Sequence, residues 1–584
     1  MTAKVTTLSV KPGIQRDGTQ FAADSYIDGE WVRFQRGMPR KMGGYNAIFL
    51  NATEISRGMS MTSSNGFNYV VSGIRSGAEG WTTDNEDGVG FGPTPYTISS
   101  GFTANDNNLW QFDVGYDSSG AGASKLIAHP GQNLAAIDST INTRPLFGAF
   151  PGSTLAPVGV FTAAGTTNST TTFTLTTANT AVGAGLSITG TGIPSGTTVV
   201  SVSGTTVIMS AAATASASIT ATFDNNISVS GGVVMLHPYL FVYGNDGLIQ
   251  NCSAGDFNNW TSSDSNANNV ASGKIVKGLP IRGGTNSPSG LFWSLDSVIR
   301  VSYAPTTVGG LSFYWRYDLL TSQTSIMSSQ CVIEYDGIFY WCGTDRFLAY
   351  NGVVQEIPNT LNQNHFFDNL NYSQRQKVWV SKVPRFGEIW WFYPRGDATE
   401  CTDAIIYNVR EKTWYDAGEA LGARRCAGAF SEVFRKPLWA GTEINDANKF
   451  TIWQHEKGVD EVYLTNVNAI KSSFETCNLG LVTGGPGNPQ LVGDNLWARI
   501  DRIEPDFIQA GNMTVRVTGK GYANDDDIVS DPYTFDETTL KIDMREQRRE
   551  LRLKFESNTE NGNYQMGKLL ISVEGGDVRS TGNP

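Results

Sequence analysis

One short stretch of the sequence, residues 336–358 (DGIFYWCGTDRFLAYNGVVQEIP), carries residue types that could do nucleophilic chemistry. Cys342 lies between a tryptophan and a glycine. Asp345 and Arg346 follow closely, and His365 comes a short way downstream. A thiol activated by a histidine is a nucleophile, but the two side chains must be neighbours in space, which their spacing does not establish. Because Cys342 lies inside an apolar segment that is typical of a β-strand, we predict a buried packing thiol instead.

A second stretch resembles a calcium-binding loop. In DSNANNVASGKI, the oxygen-bearing side chains of Asp264, Asn266 and Asn268 have the spacing of such a loop. However, the sixth position is Asn269 rather than glycine, and the twelfth is Ile275 rather than glutamate. Calcium loops of this class need both residues, so the sequence favours a polar turn.

Two further motifs are also better explained by structure than by chemistry. GTGIPSG at 190–196 resembles part of a phosphate-binding loop, but the following TTVVSVSG is typical of a strand, whereas such a loop must open a helix. The acidic cluster at 525–527 is most simply a solvated turn. A pair of catalytic carboxylates stays open as an alternative, because 55 acidic residues leave many accidental pairs.

The cysteines and histidines are too scattered for a zinc site or a disulfide scaffold. No C-x-x-C pair occurs among the six cysteines, which are Cys252, Cys331, Cys342, Cys401, Cys426 and Cys477. The four histidines are equally spread. We therefore expect reduced, buried thiols, as in a protein assembled in a cytoplasm, and we predict no catalytic, cofactor-binding or metal-ligating residue.

Composition predicts an ordered β-protein. The 584 residues include 64 glycines and many aromatic residues, a combination typical of short strands joined by tight turns. The net charge of −12 argues against a surface built to grip nucleic acid. The first residues lack an apolar run, and 231–244 is too short to span a bilayer, so we expect no secretory signal and no membrane span.

Two basic stretches, 31–44 (WVRFQRGMPRKMGG) and 375–385 (RQKVWVSKVPR), interleave cations with aromatic and apolar residues. They leave two alternatives open. One is a nucleic-acid patch, and the other is an exposed strand or arm that docks on an acidic neighbouring subunit.

An internal repeat positions these residues. A turn, four or five apolar residues, a small polar turn and a second apolar run recur from near residues 238, 290, 337, 387 and 436. The steps are therefore 52, 47, 50 and 49 residues. A step of about fifty residues with roughly four strands per unit is the signature of a β-propeller blade. Weaker candidates at 65–74 and 107–130 raise the expected number of blades from five to as many as seven.

The long gap between the candidates near 109 and 238 predicts an inserted domain. Residues 145–223 contain no charged side chain, and Thr or Ser alternates with apolar residues there. This pattern favours a small β-sandwich over a disordered linker. Beyond about residue 475 the repeat stops, and alternating residues such as 551–555 predict a C-terminal β-domain.

We therefore predict an all-β fold, a β-propeller with an inserted immunoglobulin-like β-sandwich and a C-terminal β-domain. The expected segments are 1–60 for an N-terminal arm and docking segment, 61–144 for the first blades, 145–224 for the insert, 225–475 for the main blades and 476–584 for the C-terminal domain.

A family resemblance adds a function to this fold. SYIDGEWVRFQRGMPRKMGGYN at 25–46 resembles the N-terminal signature of tail nozzle, or tail hub (packaged-DNA stabilisation), proteins of short-tailed phages (podoviruses), with its D-G-x-W-x-R-F segment. NCSAGDFNNWTSS at 251–263 is similar to their D-x-x-x-W turn, 343–358 resembles their blade hairpin, and EPDF at 504–507 resembles the start of their C-terminal domain. The insert, through GIPSGTTVVSVSG, is similar to immunoglobulin-like modules of phage and bacterial surface proteins.

The resemblance implies a structural virion protein without catalysis. It would form a ring, a homohexamer in most such proteins, below the portal and its adaptor, and would pass the double-stranded DNA genome during ejection. Tail fibres or spikes would be further partners, and the insert would reach the host cell surface. Acidic side chains lining the channel would keep phosphates from sticking. The location would be the virion tail, assembled in the host cytoplasm.

Two alternatives remain. The insert and the aromatic residues also fit a host-receptor or carbohydrate-binding tail protein (an adhesin or spike), and a propeller also fits a tail-spike glycoside hydrolase. Hydrolases of the sialidase type carry S-x-D-x-G-x-x-W boxes, and the sequence contains none.

Overall fold

A computed structural model describes residues 4–8, 10–20, 23–64, 67–83, 90–98, 109–118, 122–131, 144–149, 154–281, 287–430, 435–479, 482–483, 490–491, 497–521 and 524–575. Parts of the two weaker blade candidates (65–66, 107–108 and 119–121) and of the predicted C-terminal domain lie outside these ranges. Strands dominate, as the composition predicts. The described helices are one α-helix, Gln363–Asn369, and 3-10 helices at Asn245–Gly247, Tyr372–Lys377 and Leu421–Ala423. None of them has the length and apolar character to cross a membrane.

Seven sheets of the described residues form the blades of a propeller, numbered here along the chain. Blade 1 contains the strands Met59–Ser64, Phe67–Ile74, Gly77–Thr83 and Gly90–Pro95. Blade 2 contains Gln111–Asp117, Ala123–His129, Leu146–Ala149 and Thr154–Pro157, with Thr97–Ile98 at its edge. Blade 3 contains Gly232–Leu236, Tyr239–Tyr243, Leu248–Asn251 and Asn266–Asn269.

The remaining blades follow at near-constant spacing. Blade 4 contains Ile275–Ile281, Ser289–Ser294, Val298–Val308 and Leu311–Thr321. Blade 5 contains Val332–Tyr335, Ile338–Cys342, Phe347–Tyr350 and Val354–Glu356. Blade 6 contains Trp379–Val383, Glu388–Tyr393, Asp403–Asn408 and Thr413–Asp416. Blade 7 contains Arg425–Ala429, Leu438–Ile444, Phe450–His455, Tyr45–Ala52, Glu461–Tyr463 and Asn466–Asn468. The predicted all-β propeller is confirmed.

The ring closes through a strand from the other end of the chain. Tyr45–Ala52 pairs antiparallel with Phe450–His455, so that Tyr45 lies opposite His455 and Ala47 lies opposite Trp453. Because Tyr45–Ala52 precedes blade 1 in the sequence and lies in blade 7, it joins the first and last parts of the propeller. The same strand pairs on its other side with Glu461–Tyr463, which extends blade 7 to six strands.

Tryptophans hold adjacent blades together. The Trp379 indole of blade 6 donates a hydrogen bond to the backbone oxygen of Arg425 in blade 7 at 2.9 Å. The Trp391 indole donates to the backbone oxygen of Cys331, just before blade 5, at 3.0 Å. Trp293 of blade 4 packs edge-on against Trp341 of blade 5, with ring centroids 5.8 Å apart. A blade cannot bury both of its apolar faces alone, so these contacts between blades form the core.

The insert follows blade 2 and precedes blade 3. Its six strands are Val160–Asn168, Thr172–Leu175, Ser187–Thr189, Val199–Ser203, Thr206–Met209 and Ser216–Asp224. They enclose a separate apolar core that includes Phe173, Val207 and Phe223. At its base, Arg144 forms a two-pronged ion pair with Asp224. The predicted β-module inside a propeller connection is confirmed.

Both ends of the chain build the remaining β-domain. One sheet contains Lys4–Thr7, Leu570–Gly575, Ala498–Glu504, Ile542–Ser557, Ser472–Glu475 and Asp28–Glu30, and Met513–Lys520, Ile528–Val529 and Tyr533–Phe535 branch from it. A second sheet contains Phe507–Ala510, Asn563–Met566, Met38–Lys41 and Val32–Gln35. Short pairs also form between Lys11–Ile14 and Ser25–Tyr26, and between Val482–Thr483 and Gln490–Leu491. The N-terminal segment therefore packs into this domain within one chain.

Candidate functional site

Cys342, Asp345, Arg346 and His365 do not form a nucleophilic site. Cys342 is fully buried, and its thiol donates to the backbone oxygen of Gly343 at 3.3 Å. Burial raises the pKa of the Cys342 thiol well above its ordinary value, which opposes the thiolate that a nucleophile needs. Asp345 and Arg346 form an exposed ion pair at 2.7 Å. His365 lies on the helix Gln363–Asn369, where burial lowers the pKa of its ring.

The other motifs form turns and ion pairs. The Asp264 carboxylate accepts hydrogen bonds from the hydroxyls of Ser253 and Ser262 and from the backbone N–H of Ala254. No group of three or more potential metal-binding side chains occurs in the part of the chain that the structure describes. In the acidic cluster at 525–527, Asp527 pairs with Arg552.

Most of the basic stretch 31–44 is buried or half-buried, and of its four cations only Arg36 is exposed. The Arg33 side chain is 1% exposed, and its Nη2 donates to Glu388 at 3.0 Å and to Glu456 at 2.6 Å. Burial lowers the pKa of Arg33, but the two carboxylates outweigh that effect and raise it overall. The Lys41 ammonium donates to the backbone oxygen of Gly562 at 2.7 Å. These two cations are held by their own chain, so 31–44 is not the exposed arm or nucleic-acid patch that its composition suggested.

Two cations of the second basic stretch, 375–385, are also held by their own chain, while Arg385 is exposed. Lys377 pairs with Glu400 at 2.8 Å, and the Lys382 ammonium donates to the backbone oxygen of Glu334 at 3.1 Å.

A cleft in blade 7 gathers the polar and aromatic side chains that could bind a ligand. It encloses about 240 Å³ and opens to solvent. We call it the blade 7 cleft. Its charged and aromatic lining residues are Tyr45, Arg424, Arg425, Glu443, Asp446, Trp453, Glu461 and Tyr463, and the amides of Asn445, Asn466 and Asn468 also line it. The two strands that extend blade 7 beyond four supply Glu461, Tyr463, Asn466 and Asn468.

The floor of the cleft is an arginine between two rings. The Arg425 guanidinium carbon lies 4.8 Å from the ring centre of Tyr45 and 5.3 Å from that of Trp453. Arg425 Nε donates to Nε2 of His455 at 2.9 Å, which requires His455 to be neutral. Burial, together with the nearby Arg425, lowers the pKa of His455 well below its ordinary value, consistent with that hydrogen bond. The arginine charge at this floor is therefore fixed in position.

One wall of the cleft is a hydrogen-bonded carboxylate. Glu461 accepts a hydrogen bond from the Tyr45 hydroxyl at 2.8 Å and one from the Asn468 amide at 3.2 Å. Burial raises the pKa of Tyr45, and Glu461 raises it further, while Arg425 acts in the opposite direction. The phenol therefore stays protonated and remains a donor. On the opposite wall, Arg424 donates a hydrogen bond to the Glu443 carboxylate.

Two aromatic rings form an apolar surface beside these polar groups. Trp453 packs edge-on against Tyr45, with centroids 5.2 Å apart, and its centroid lies 6.1 Å from that of Tyr463. Both Trp453 and Tyr463 are half-buried, so part of each ring faces solvent. A cleft with exposed ring surface next to paired donors and acceptors can bind a ligand that is apolar on one face and hydroxylated at its edges.

A second groove, of about 690 Å³, lies between the insert and blade 3. Threonines and small residues line most of it, with Asp256 and Asn258 on the blade 3 side. Its one aromatic residue, Phe161, stacks on Phe223 inside the insert, with centroids 5.6 Å apart. The groove therefore offers fewer recognition groups than the blade 7 cleft.

The blade 7 cleft was not predicted, because 436–454 has the pattern of the other repeated hairpins. The signal that could have revealed the cleft is EVYLTNVN at 461–468, an additional apolar and polar alternation after the last repeat. The pairing of this segment with Tyr45 joins positions 416 residues apart, which local spacing does not show.

Similarity to known proteins is found among solved structures. No family model matches the chain, and no curated protein matches it. Similar solved structures include an exo-β-1,3-galactanase from Phanerochaete chrysosporium, at 8% identity over 91% of this chain and 100% of that chain, with a TM-score of 0.26. A glycoside hydrolase is 8% identical over 89% of this chain and 100% of that chain, with a TM-score of 0.22. A puromycin-hydrolysing peptidase from Mycobacterium tuberculosis is 8% identical over 74% of this chain and 60% of that chain, with a TM-score of 0.24.

These comparisons correct the function expected from the sequence. The similar structures are hydrolases, and two of those named act on carbohydrates by their own descriptions. The prediction of a structural nozzle that passes DNA is therefore wrong. The prediction that the chain is not an enzyme is also wrong. The physical reason lies in the motif that carried the resemblance. Trp31, Arg33 and Phe34 are each 1% exposed and pack inside a single chain, so D-G-x-W-x-R-F records internal packing. An activity must be argued from the cleft itself.

Proposed function

We propose that this protein binds a carbohydrate chain in the blade 7 cleft. The observation that carries the proposal is the pairing of half-exposed rings, Trp453 and Tyr463, with a fixed row of donors and acceptors around Glu461. A sugar ring presents a C–H face that packs on an aromatic ring, and its hydroxyls need both donors and acceptors at its edge. The cleft supplies both kinds of contact within one volume.

The polar groups are also held in place before a ligand arrives. The Glu461 carboxylate is bound by Tyr45 and Asn468, and the Arg424 guanidinium is bound by Glu443. Groups that are already ordered lose less conformational entropy on binding. This arrangement favours a specific ligand over non-specific adhesion.

The test is a glycan array probed with the wild-type protein and with Tyr463→Ala. Tyr463 is half-buried on an outer strand, so its removal takes away ring surface without opening the core. We expect an apparent affinity for any bound glycan that is about 5-fold weaker or more, because a stacked ring contributes about 1 kcal/mol beyond its buried area. Tyr116→Ala is the matched control, since Tyr116 is 48% exposed on blade 2. Equal binding by both variants and the wild type would remove the proposal.

Hydrolysis of the bound glycan is the second candidate, because three carboxylates, Glu443, Asp446 and Glu461, line the same cleft. Glycosidases use two such groups, one as acid and one as base or nucleophile. The same glycans are assayed for release of reducing ends. Binding without release restricts the function to recognition, whereas release that falls at least about 100-fold in Glu461→Gln establishes an enzyme.

We also propose that the chain belongs to a phage tail and forms a homo-oligomer, as the resemblance to tail proteins implies. The order of the motifs at 25–46, 251–263 and 504–507 along one chain supports this proposal. In a tail, the cleft would meet polysaccharides of the host surface. Native mass spectrometry of the purified protein tests the assembly, and a monomer at micromolar concentration would contradict it.

A further inference from the structure

The floor of the blade 7 cleft holds a buried positive charge that forms no ion pair with a carboxylate among the described residues. Arg425 is 4% exposed. Its Nη1 donates to the backbone oxygens of Leu421 and Arg424, and its Nε donates to His455. Among the residues that the structure describes, no carboxylate lies within ion-pair distance of this guanidinium, and its Nη2 atom has no hydrogen-bond partner.

This arrangement is costly in the free protein. A buried charge is normally paired or is neutralised by a shift of its pKa. Burial does lower the pKa of Arg425, but a guanidinium stays protonated in proteins. The two flanking rings, Tyr45 and Trp453, offset only part of the lost hydration. Arg425 is therefore a cation without an ion pair at the bottom of an open cleft, where an anionic group of a ligand can form that ion pair.

We propose that the carbohydrate ligand of the cleft carries a carboxylate, that of a uronic or other acidic sugar, and that this carboxylate pairs with Arg425. The inference rests on the proposed carbohydrate binding and names its substrate class. The Tyr45 hydroxyl interacts with the Arg425 guanidinium while donating to Glu461. An incoming carboxylate takes the place of the phenol oxygen beside Arg425, and the phenol keeps its hydrogen bond to Glu461.

The acidic groups of the cleft do not cancel this attraction. Glu443 pairs with Arg424. Glu461 accepts hydrogen bonds from the neutral Tyr45 and Asn468 and keeps its charge, which acts on Arg425 without forming an ion pair with it. Asp446 is exposed at the rim, where water and salt screen its charge. Among the described residues Arg425 has no ion pair, and its Nη2 has no hydrogen-bond acceptor, so this end of the cleft favours an anion.

The experiment uses matched glycans that differ only in charge. Oligogalacturonate and its methyl ester are one pair, and oligoglucuronate and its methyl ester are another. We expect the wild-type protein to bind at least one acid about 10- to 100-fold more tightly than its ester, the range expected for a hydrogen bond to a charged group. Arg425→Gln should abolish this preference. Arg346→Gln, which removes one positive charge from an exposed ion pair outside the cleft, should retain it.

The outcomes distinguish the acidic-sugar inference from the proposed carbohydrate binding on which it rests. Equal binding of acid and ester by the wild type overturns the acidic-sugar inference and leaves carbohydrate binding intact. Binding of neither member in any pair, together with an unreactive glycan array, overturns both. If Arg425→Gln does not fold, the wild type still decides. The preference for the acid should fall as NaCl rises from about 50 mM to about 500 mM, and a preference that is independent of salt contradicts an ion pair.

Discussion

Two buried arginines of this chain differ in what surrounds their charge. Arg33 lies where the N-terminal segment meets blade 6, and its guanidinium donates to Glu388 and Glu456. It also lies over the Phe386 ring, 3.8 Å from its centre. Arg425 lies in the blade 7 cleft, between two rings and beside a neutral histidine. One arginine has two carboxylates, and in the described residues the other has none within ion-pair distance.

The difference distinguishes Arg33, which stabilises the fold, from Arg425, which can bind a ligand. Positions 33, 388 and 456 come from the N-terminal segment, blade 6 and the end of blade 7, so the paired arginine ties together parts of the chain that lie far apart in sequence. The Arg33 charge is paired with two carboxylates inside the fold. The charge of Arg425 has no ion pair among the described residues, and it lies in the blade 7 cleft beside the half-buried rings of Trp453 and Tyr463. Burial alone therefore does not identify a functional arginine, whereas burial without a counter-ion points to one.

The largest expected effect comes from breaking the paired site. Arg33→Met leaves two buried carboxylates without their cation, and removing one member of a buried pair costs about 3–5 kcal/mol. Urea denaturation should show a loss of that size in the free energy of unfolding. Arg346→Met is the control, because Arg346 and its partner Asp345 are about half exposed and such surface pairs contribute only about 0–1 kcal/mol.

A double substitution sharpens this prediction. Arg33→Met combined with Glu388→Gln removes one of the two stranded charges, so it should recover part of the stability lost by Arg33→Met alone. Additive losses from the two substitutions would show that the three charges do not act as a unit.

Lys41 is intermediate between Arg33, which pairs with carboxylates, and Arg425, which does not. Its contribution to the free energy of unfolding is smaller and depends on pH. Its ammonium donates to the backbone oxygen of Gly562 rather than to a carboxylate, and burial lowers the pKa of Lys41 to about 8 from 10.5. Between these two pH values the unfolded chain binds more protons than the folded one, so folding stability rises with pH across this window. The rise contributed by Lys41 is at most about 3 kcal/mol.

Lys41→Met isolates that contribution. Lys274 and Lys277, whose pKa values burial also lowers to about 8, remain in both proteins. The difference in unfolding free energy between wild type and Lys41→Met should therefore shift in favour of the wild type from pH 8 to 10.5. A difference that is constant across this range would place Lys41 with the fully paired cations.

The sequence predicted the part of the fold that local periodicity encodes. The repeated hairpins expected from near residues 238, 290, 337, 387 and 436 are the second strands of blades 3 to 7, which begin at Tyr239, Ser289, Ile338, Glu388 and Leu438. These strands are buried on both faces, so each must be a continuous apolar run at the same place in every blade. The uncharged segment that became the insert was visible for a similar reason.

Pairings between distant segments could not be predicted in this way. Nothing near Tyr45 shows that its strand closes blade 7, because Tyr45–Ala52 pairs with a strand some 400 residues later. The cleft depends on that pairing, since Tyr45 comes from the closing strand and Glu461 from the strand beside it. The missing counter-ion of Arg425 is equally invisible, because it is a property of the complete surroundings of the guanidinium and not of any motif.

The smallest expected effect on stability is the most informative about the comparison. Arg425→Met replaces an unpaired charge by an apolar side chain of similar length that can lie between Tyr45 and Trp453. The lost hydrogen bonds to Leu421, Arg424 and His455 are offset by the removal of a buried charge, so we expect a change of about 1 kcal/mol or less in the free energy of unfolding. Urea denaturation beside Arg33→Met measures both under the same conditions. A loss of unfolding free energy as large as that of Arg33→Met would mean that Arg425 also stabilises the fold. The burial of Arg425 would then be explained without an acidic ligand.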